Sequence, residues 1–314
     1  KIILNKLEIG EFNILNFFMS RARRILPMLL FVLIIFSPLI FFLLPSKMIS
    51  LSQSILTSLF FVSNIFFYWE SGYFGEAINL KPYIHLWSLS VEEQFYIIFP
   101  IYCILFYKKN YFLISLISIF LISFFLANIL GPKFPNANFF LTPTRVWEIL
   151  SGVFFMIFEK KKINLNSKFS NAICLVSLIA IILSFFYIDN LDNIPNFNLL
   201  PAIVGTGILI IYGEKNNIIK KLICNKALIF IGLISYSLYM LHQPFLAFNK
   251  NLNFFEESII TKILFFILLI LLSSITWKFI EQPFRNVKKI STKKFLYIII
   301  FIGTTIVILN TIIL

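Results

Sequence analysis

The stretch PYIHLWSLSVEEQFYIIFP, from Pro82 to Pro100, is flanked by apolar sequence and reads as a membrane helix. It nevertheless carries His85, Glu92 and Glu93. Ionisable side chains at membrane depth cost free energy, so they are kept mainly where they pair, bind or react. This cost favours a functional site over a purely structural polar network, and we predict these three residues to be catalytic.

Four polar side chains share one face of this helix. At about 100° per residue, one narrow stripe holds His85, Ser88, Glu92 and Tyr96. A helix surrounded only by lipid has no use for such a stripe. We therefore expect it to face protein or a wet cavity.

The composition indicates a membrane protein. Of the 314 residues, 59% are hydrophobic and 13% are charged, with a mean hydropathy of +0.91. Soluble domains average about 45–50% apolar and 25% charged residues. The excess lies in runs long enough to cross a bilayer. The sequence predicts an all-α, polytopic transmembrane helical bundle.

Ten apolar segments follow one another along the chain. They cover residues 25–44, 55–69, 82–107, 111–130, 144–158, 169–188, 199–212, 228–248, 259–280 and 295–314. The second is diluted by Ser, Thr and Asn, so we predict about nine full spans and one re-entrant or incomplete segment. Residues 1–24 are predicted to be a cytoplasmic juxtamembrane segment and 25–314 the transmembrane domain. Gly205 and Gly207 would permit close helix packing.

The net charge of +13 comes from basic residues in short loops. This distribution is typical of cytoplasmic loops in membrane proteins, and no basic surface indicates a nucleic-acid partner. The loops at 108–109, 159–168, 214–226 and 282–294 are separated by even numbers of crossings, so all four can be cytoplasmic.

The three cysteines have no metal-ligand or disulfide spacing, so we expect no metal.

Other polar residues have an ordinary and a functional interpretation. The arginines from Arg21 to Arg24 are most simply a topology anchor, although two arginine forks also suit phosphate groups. Arg145 and Glu148, at i and i+3, are most simply an ion pair. Tyr239 and His242 share a helix face with Ser235, and Glu281 with Arg285 suggests an interfacial ion pair.

Motifs of several enzyme classes are absent from the sequence, including Walker A, GxSxG, HExxH and GxGxxG. A transporter or flippase for a lipid-linked sugar or small anion remains an alternative, with Glu92 and Glu93 as proton or substrate sites. Transporters often contain inverted repeats, and none is visible in this sequence.

Several motifs resemble the membrane acyltransferase-3 family of bacterial O-acyltransferases, in the same order and over nearly the whole chain. They are RARRILP (21–27), the Leu44-Pro45 step, SLFFVSNIFFYWESGYF (58–74), KPYIHLWSLSVEEQFYIIFP (81–100), TPTRVWEILSG (142–152), GLISYSLYMLHQPF (232–245) and FIEQPFR (279–285). The match at 81–100 is the most specific of these. The resemblance is closest to the branch with an extra terminal span before an extracytoplasmic esterase-like domain.

The resemblance implies acyl transfer, usually of acetyl from cytoplasmic acetyl-CoA to a sugar hydroxyl outside. It implies a bacterial inner-membrane enzyme whose acceptor is an exported or cell-surface glycan or lipid-linked sugar, such as O-antigen in lipopolysaccharide. The family's Arg-x-x-Arg falls on Arg21 and Arg24, which favours the anion clamp for the CoA phosphates. The implied substrate pocket comprises Trp87, Ser88, Tyr96, Arg145, Glu148, Tyr239 and His242.

One departure concerns the beginning of the chain. Family members start with two further spans, and the first carries a histidine regarded as catalytic. This chain begins at Lys1 and has neither span. Either it is a fragment of a longer protein or it is inactive, and we favour the fragment.

Overall fold

The computed structural model describes residues 2–43, 45–71, 80–160, 165–188, 194–213, 218–252 and 258–314, and the statements below concern these residues. The α-helices are α1 (Ile2–Glu8), α2 (Ile14–Leu43), α3 (Met48–Leu59), α4 (Ser63–Glu70), α5 (Leu86–Phe106), α6 (Phe112–Leu130), α7 (Pro135–Phe140), α8 (Thr142–Lys160), α9 (Ser167–Tyr187), α10 (Leu200–Tyr212), α11 (Ile218–Ile223), α12 (Lys226–Leu252), α13 (Ile259–Thr276), α14 (Gln282–Arg285) and α15 (Thr292–Ile313). A π-helical turn, Trp277–Glu281, joins α13 to α14.

Eight helical segments within the described residues are long and apolar enough to cross a bilayer. They are Ile14–Leu39, Leu86–Phe106, Phe112–Leu130, Pro135–Lys160, Ser167–Tyr187, Lys226–Leu252, Ile259–Arg285 and Thr292–Ile313. The predicted all-α, polytopic fold is confirmed. Parts of the predicted basic loops (161–164 and 214–217) and the end of the first predicted span at Leu44 lie outside the described residues.

Two of the predicted segments are shorter than a full span. The Ser- and Asn-rich second segment is divided into α3 and α4, with Phe61 between them at a φ of 55°. The longer piece, α3, has 12 residues and extends only about 18 Å, whereas the hydrocarbon layer is about 30 Å thick. The segment 199–212 forms α10, with 13 residues.

Helix α2 begins at Ile14, eleven residues before the predicted span at Ile25. Asn13 caps it, because its Oδ1 accepts a hydrogen bond of 2.9 Å from the backbone N–H of Asn16. The arginines 21–24 therefore lie inside the helix rather than before it. Their side chains point in directions fixed by helix geometry, which a juxtamembrane loop would not provide.

The predicted helix at Pro82–Pro100 begins later than expected, at Leu86. Residues 82–85 form turns in which the carbonyls of Tyr83 and Ile84 accept hydrogen bonds three residues ahead, at 3.0 and 3.1 Å. His85 thus lies in the turn before α5 and not on the helical stripe. The prediction that His85 shares a helix face with Ser88, Glu92 and Tyr96 is therefore wrong, because the helix begins only after His85.

The chain forms two compact units. The middle unit comprises Lys1–Phe12 and Val91–Ile229, and the histidine unit comprises Asn13–Ser90 and Phe230–Leu314. In the middle unit α9 packs on α10 and α6 on α8. A Cβ at Gly205 would lie 2.8 Å from the Ser177 carbonyl oxygen, and one at Gly207 would lie 2.4 Å from the Phe155 ring. The prediction that both glycines permit close packing is confirmed.

The core of the histidine unit forms around the buried face of α2. Met28, Leu29, Val32 and Leu33 are at most 2% exposed and pack with Leu51 and Ile55 of α3, Leu86 and Leu89 of α5, Met240 and Leu241 of α12, Leu269 of α13 and Ile306 of α15. Burial of large apolar side chains stabilises such a core by about 1.5–3 kcal/mol each in water. Within this apolar framework the unit holds the polar cluster described below.

Candidate functional site

A cluster of polar side chains lies where the turn before α5 meets α12. The His85 ring centroid is 5.1 Å from that of Tyr239 and 5.3 Å from that of His242. His85 is only 7% exposed, whereas Tyr239 and His242 are half-buried. Two histidines that are distant in sequence are therefore neighbours within the histidine unit.

Hydrogen bonds fix the orientation of the cluster. The Tyr239 hydroxyl donates to the carbonyl oxygen of His85, and it lies 2.8 Å from the hydroxyl of Ser88. Because the Tyr239 proton is used on the carbonyl, the Tyr239 oxygen accepts from Ser88. The Nδ1 of His242 lies 2.6 Å from the carbonyl oxygen of Tyr239 and donates to it. In a neutral His242, Nε2 is then the nitrogen with a free lone pair.

His85 itself is buried without a hydrogen-bond partner. By hydrogen-bond geometry neither its Nδ1 nor its Nε2 is bonded within the described part of the chain, although the backbone of Met240 lies beside the ring. A buried polar group without a partner costs about 1–3 kcal/mol, and burial also disfavours the charged imidazolium. Such a group is expected to serve a ligand or a reaction rather than stability.

At one end of the histidine unit lie the arginines of α2. Arg23 is 3% exposed and donates to the carbonyl oxygen of Phe284 at 2.9 Å and to the hydroxyl of Thr292 at 3.3 Å. Its guanidinium also lies 4.7 Å from the centroid of the Phe295 ring. Arg21 is half-buried and Arg24 is exposed. The buried arginine thus anchors the helix, while the two predicted phosphate-binding arginines lie outside the core.

A second charged group lies near the same end. Glu281, at the end of the π-helical turn, is 2% exposed and accepts from Ser237 at 3.1 Å and from Arg285 at 2.9 Å. The expected ion pair between Glu281 and Arg285 is confirmed. Because Ser237 belongs to α12, this network contacts α12 five residues before His242.

The other end of α12 carries a separate polar network. Lys81 is 7% exposed and lies 2.8 Å from a carboxylate oxygen of Glu70. Gln243 donates to the carbonyl oxygen of Lys81 at 3.2 Å, and Asn251 accepts from Lys47 at 2.7 Å. A cavity bordered by Lys47 and Lys81 measures about 20 Å³, which is room for about one water molecule. We interpret this network as structural.

The histidine cluster lies along α12 between Ser237 and Asn251, and Gln243 of the second network directly follows His242. Along α12, Ser237 precedes His242 by about 7.5 Å and Asn251 follows His242 by about 13.5 Å, at 1.5 Å per residue. Ser235, by contrast, is exposed and donates back to Gly232 at 2.9 Å. It therefore does not share the environment of Tyr239 and His242, although its spacing suggested that it would.

The remaining predicted site residues are distributed over both units. Trp87 is half-buried in the histidine unit. In the middle unit, Glu92 is exposed, Glu93 is 8% exposed and Tyr96 is half-buried on α5. Each of the four makes contacts with other residues.

The Arg145–Glu148 ion pair also lies in the middle unit. Arg145 Nη1 is 3.1 Å from Glu148, and its Nε donates to the carbonyl oxygen of Phe139 at 3.0 Å. Glu148 borders an open cavity of about 500 Å³ between α8 and α10, which is lined mainly by apolar side chains. The pair is the ion pair expected from the spacing, and it also borders a cavity of ligand size.

Sequence reasoning missed Arg23, Lys81 and Tyr83. Tyr83 is fully buried, and its hydroxyl lies 3.3 Å from that of Ser37. The partners of Arg23 are 261 and 269 residues away along the chain, so no local pattern distinguishes it from Arg21 or Arg24.

Among the described residues, no three His, Cys, Asp or Glu side chains are close enough to hold a metal ion.

Comparison with known proteins places the sequence of this chain in a family. The family model described as an acyltransferase domain matches residues 7–280. A Staphylococcus aureus (strain COL) protein named "Putative O-acetyltransferase SACOL0978" is 29% identical over 300 residues, which cover 89% of this chain and 49% of that protein. The "O-acetyltransferase OatA" of Staphylococcus aureus (strain NCTC 8325 / PS 47) is 27% identical over 293 residues, covering 88% of this chain and 48% of its own.

A third relative differs in length. An "Uncharacterized protein" of Haemophilus influenzae is 29% identical over 236 residues, which cover 69% of this chain and 94% of that protein. The chain spans about half the length of the staphylococcal relatives. No solved structure matches it. Since the family model covers most of its length, the chain belongs to the acyltransferase-3 family and is a multi-pass membrane protein.

Proposed function

We propose that this protein is an integral membrane O-acyltransferase that moves an acyl group, in the first place acetyl, from cytoplasmic acyl-CoA to a hydroxyl of an exported or cell-surface glycan. The proposed location is the bacterial inner membrane. The proposed acceptor is a glycan such as the O-antigen of lipopolysaccharide. Family membership and the names of the relatives support acyl transfer. The observation that carries the proposal is His85, which is buried beside His242 and Tyr239 with two ring nitrogens that lack partners.

The donor end is assigned to Arg21 and Arg24. Their guanidinium groups suit phosphate oxygens, which they can bind bidentately. Arg23 is held by Phe284 and Thr292 and fixes the part of α2 from which Arg21 and Arg24 project. These two side chains would thus hold the CoA phosphates.

The reaction needs a base near the acceptor hydroxyl. In acyl transfer the hydroxyl oxygen attacks the thioester carbonyl, the hydroxyl proton passes to a base, and the thiol of CoA leaves after taking up a proton. A neutral His85 has one nitrogen that accepts and one that donates a hydrogen bond. We assign His85 to the acceptor hydroxyl, with Glu92 and Glu93 as further proposed catalytic groups. Tyr239 and Ser88 hold the turn that carries His85.

The test uses the full-length natural protein in proteoliposomes with radiolabelled acetyl-CoA and an isolated glycan acceptor. Label should appear on the glycan. Replacing Arg21 and Arg24 together with Ala should raise KM for acetyl-CoA about tenfold or more, because two charge-assisted hydrogen bonds are lost. Lys108 and Lys109 are exposed, and their replacement with Ala is the matched control, with KM unchanged.

Three outcomes would contradict the proposal. The first is uptake of a sugar or an anion into the vesicles without any acyl transfer, which would favour the transporter or flippase. The second is an unchanged KM in the double arginine variant, which would remove the assignment of the donor site. The third is full activity after replacement of His85, which would remove the assigned base.

A further inference from the structure

An open groove of about 520 Å³ lies between α2 and α15. Its volume falls within the range of about 300 to 1,000 Å³ that ligand sites occupy. The walls are mainly apolar, and they comprise Leu33, Ile34, Pro38 and Phe41 of α2 with Phe301, Ile302, Ile306, Leu309, Ile312 and Ile313 of α15. It is separate from the histidine cluster and from the arginines.

The two helices run in the same direction along this groove. Arg23 of α2 contacts Thr292 and Phe295 at the start of α15, and the groove residues follow later in both helices. Asn310 therefore lies beyond Phe301, Ile302 and Ile306 along the groove.

Three polar side chains line the groove. Ser37 donates to the carbonyl oxygen of Leu33, and Thr305 donates to that of Phe301 at 2.9 Å. Asn310 donates from Nδ2 to the carbonyl oxygen of Ile306 at 2.8 Å. Its Oδ1 accepts no hydrogen bond from any described residue, although the Asn310 side chain is buried, with only 3% of the residue exposed.

An unpaired amide oxygen is costly in an apolar membrane environment. Asn310 is 3% exposed, so solvent does not satisfy its Oδ1, and a buried polar group without a partner costs free energy. A hydrogen-bond donor that arrives with an apolar tail would satisfy Asn310 and fill the groove at the same time. Such a molecule combines a long hydrocarbon chain with a donor at its head.

We propose that the groove between α2 and α15 is a binding site for a phospholipid with a primary-amine head group. One acyl chain lies along the apolar walls, and the ammonium group donates to Oδ1 of Asn310 after a small rotation of the side chain. The ammonium is preferred over a hydroxyl because hydrogen bonds from charged donors are about twice as strong. A trimethylated amine has no N–H and cannot make this bond.

Native mass spectrometry of the purified full-length protein tests the proposal. The protein is delipidated and then titrated separately with phosphatidylethanolamine, phosphatidylcholine and phosphatidylglycerol of identical chains. We expect one phosphatidylethanolamine to bind about tenfold or more tightly than phosphatidylcholine. The variant Asn310→Leu should lose this preference, because leucine offers no acceptor to the ammonium group.

Two further variants serve as controls, one outside the groove and one that fills it. Thr311→Val is the matched control, since Thr311 is exposed on α15 and does not line the groove, and its binding should equal that of the parent protein. Leu309→Trp changes a residue that is 57% exposed and should weaken all three lipids by filling the groove. Equal binding of the three lipids to the parent protein would overturn the proposal, as would an unchanged preference in Asn310→Leu. A dimer that excludes lipid would assign the groove to a second copy instead.

Discussion

At the scale of single residues, three neighbouring arginines of α2 have different surroundings. Arg23 is buried against α14 and α15, Arg21 is half-buried, and Arg24 is exposed. Helix geometry explains the difference, because successive residues are about 100° apart around the helix. Arg23 is therefore held within the fold, while Arg21 and Arg24 project in other directions from the same helix.

We expect Arg23→Gln to lower the free energy of unfolding in detergent by about 2 kcal/mol, since the carbonyl oxygen of Phe284 and the hydroxyl of Thr292 lose a charged donor. Arg24→Gln is the control and should change stability by less than about 0.5 kcal/mol, as exposed substitutions usually do. Unfolding in a denaturant titration, followed by tryptophan fluorescence, measures both. Equal losses in the two variants would contradict the anchoring role of Arg23.

His85 provides a test that separates function from stability. Its two ring nitrogens are buried without partners, so His85→Leu should leave stability unchanged or increase it by about 1 kcal/mol. The same variant should lose acyl transfer almost completely. Thermal unfolding in detergent and the vesicle assay are measured on one preparation. Loss of both stability and activity would instead indicate a structural histidine.

At the scale of helices, close contacts depend on small residues. Gly205 of α10 packs against the backbone of α9, where a Cβ would lie 2.8 Å from the carbonyl oxygen of Ser177. Since both atoms belong to the backbone or are attached directly to it, neither can move without shifting a helix. Small residues at helix interfaces are typical of membrane bundles.

Gly205→Ala should therefore lower the midpoint of thermal unfolding, with a loss of about 1–3 kcal/mol from overpacking. Gly152→Ala is the matched control, because a Cβ there meets nothing within 4 Å and alanine has a higher helix propensity. Thermal unfolding of the two variants in the same detergent gives the comparison. A destabilised Gly152→Ala with a stable Gly205→Ala would contradict the packing of α9 on α10.

At the scale of the whole molecule, the parity of the basic loops predicts the orientation in the membrane when α10 is counted as a crossing, although its 13 residues are fewer than a full span needs. Cys224 lies in the predicted cytoplasmic loop 214–226 and is exposed, whereas Cys103 and Cys174 are buried. A membrane-impermeant maleimide should therefore label the protein in inverted vesicles and leave it unlabelled in right-side-out vesicles. Ser46→Cys, at an exposed position after α2, should show the opposite pattern in a Cys224→Ser background. Labelling of Cys224 from outside would contradict the predicted orientation.

The sequence alone determined the class of fold. Long apolar runs can satisfy their backbone hydrogen bonds in a bilayer as helices, and the runs in this sequence have the length that a helix needs to cross it. The dilution of the second segment by polar residues also indicated that it is not one full span, and the structure divides it at Phe61. Local composition was sufficient for these predictions because each concerns a continuous stretch of chain.

Only the tertiary structure decided which polar residues meet. His85 was placed on a helical stripe, but the chain turns before Leu86 and brings His85 to Tyr239 and His242 instead. Arg23 could not be distinguished from its neighbours, because its partners are more than 260 residues away. The stretch Pro82–Pro100 thus identified the candidate site, while the packing of α12 on the turn before it determined which side chains form the site. Contacts between distant segments depend on the packing of the whole core, and no local pattern encodes them.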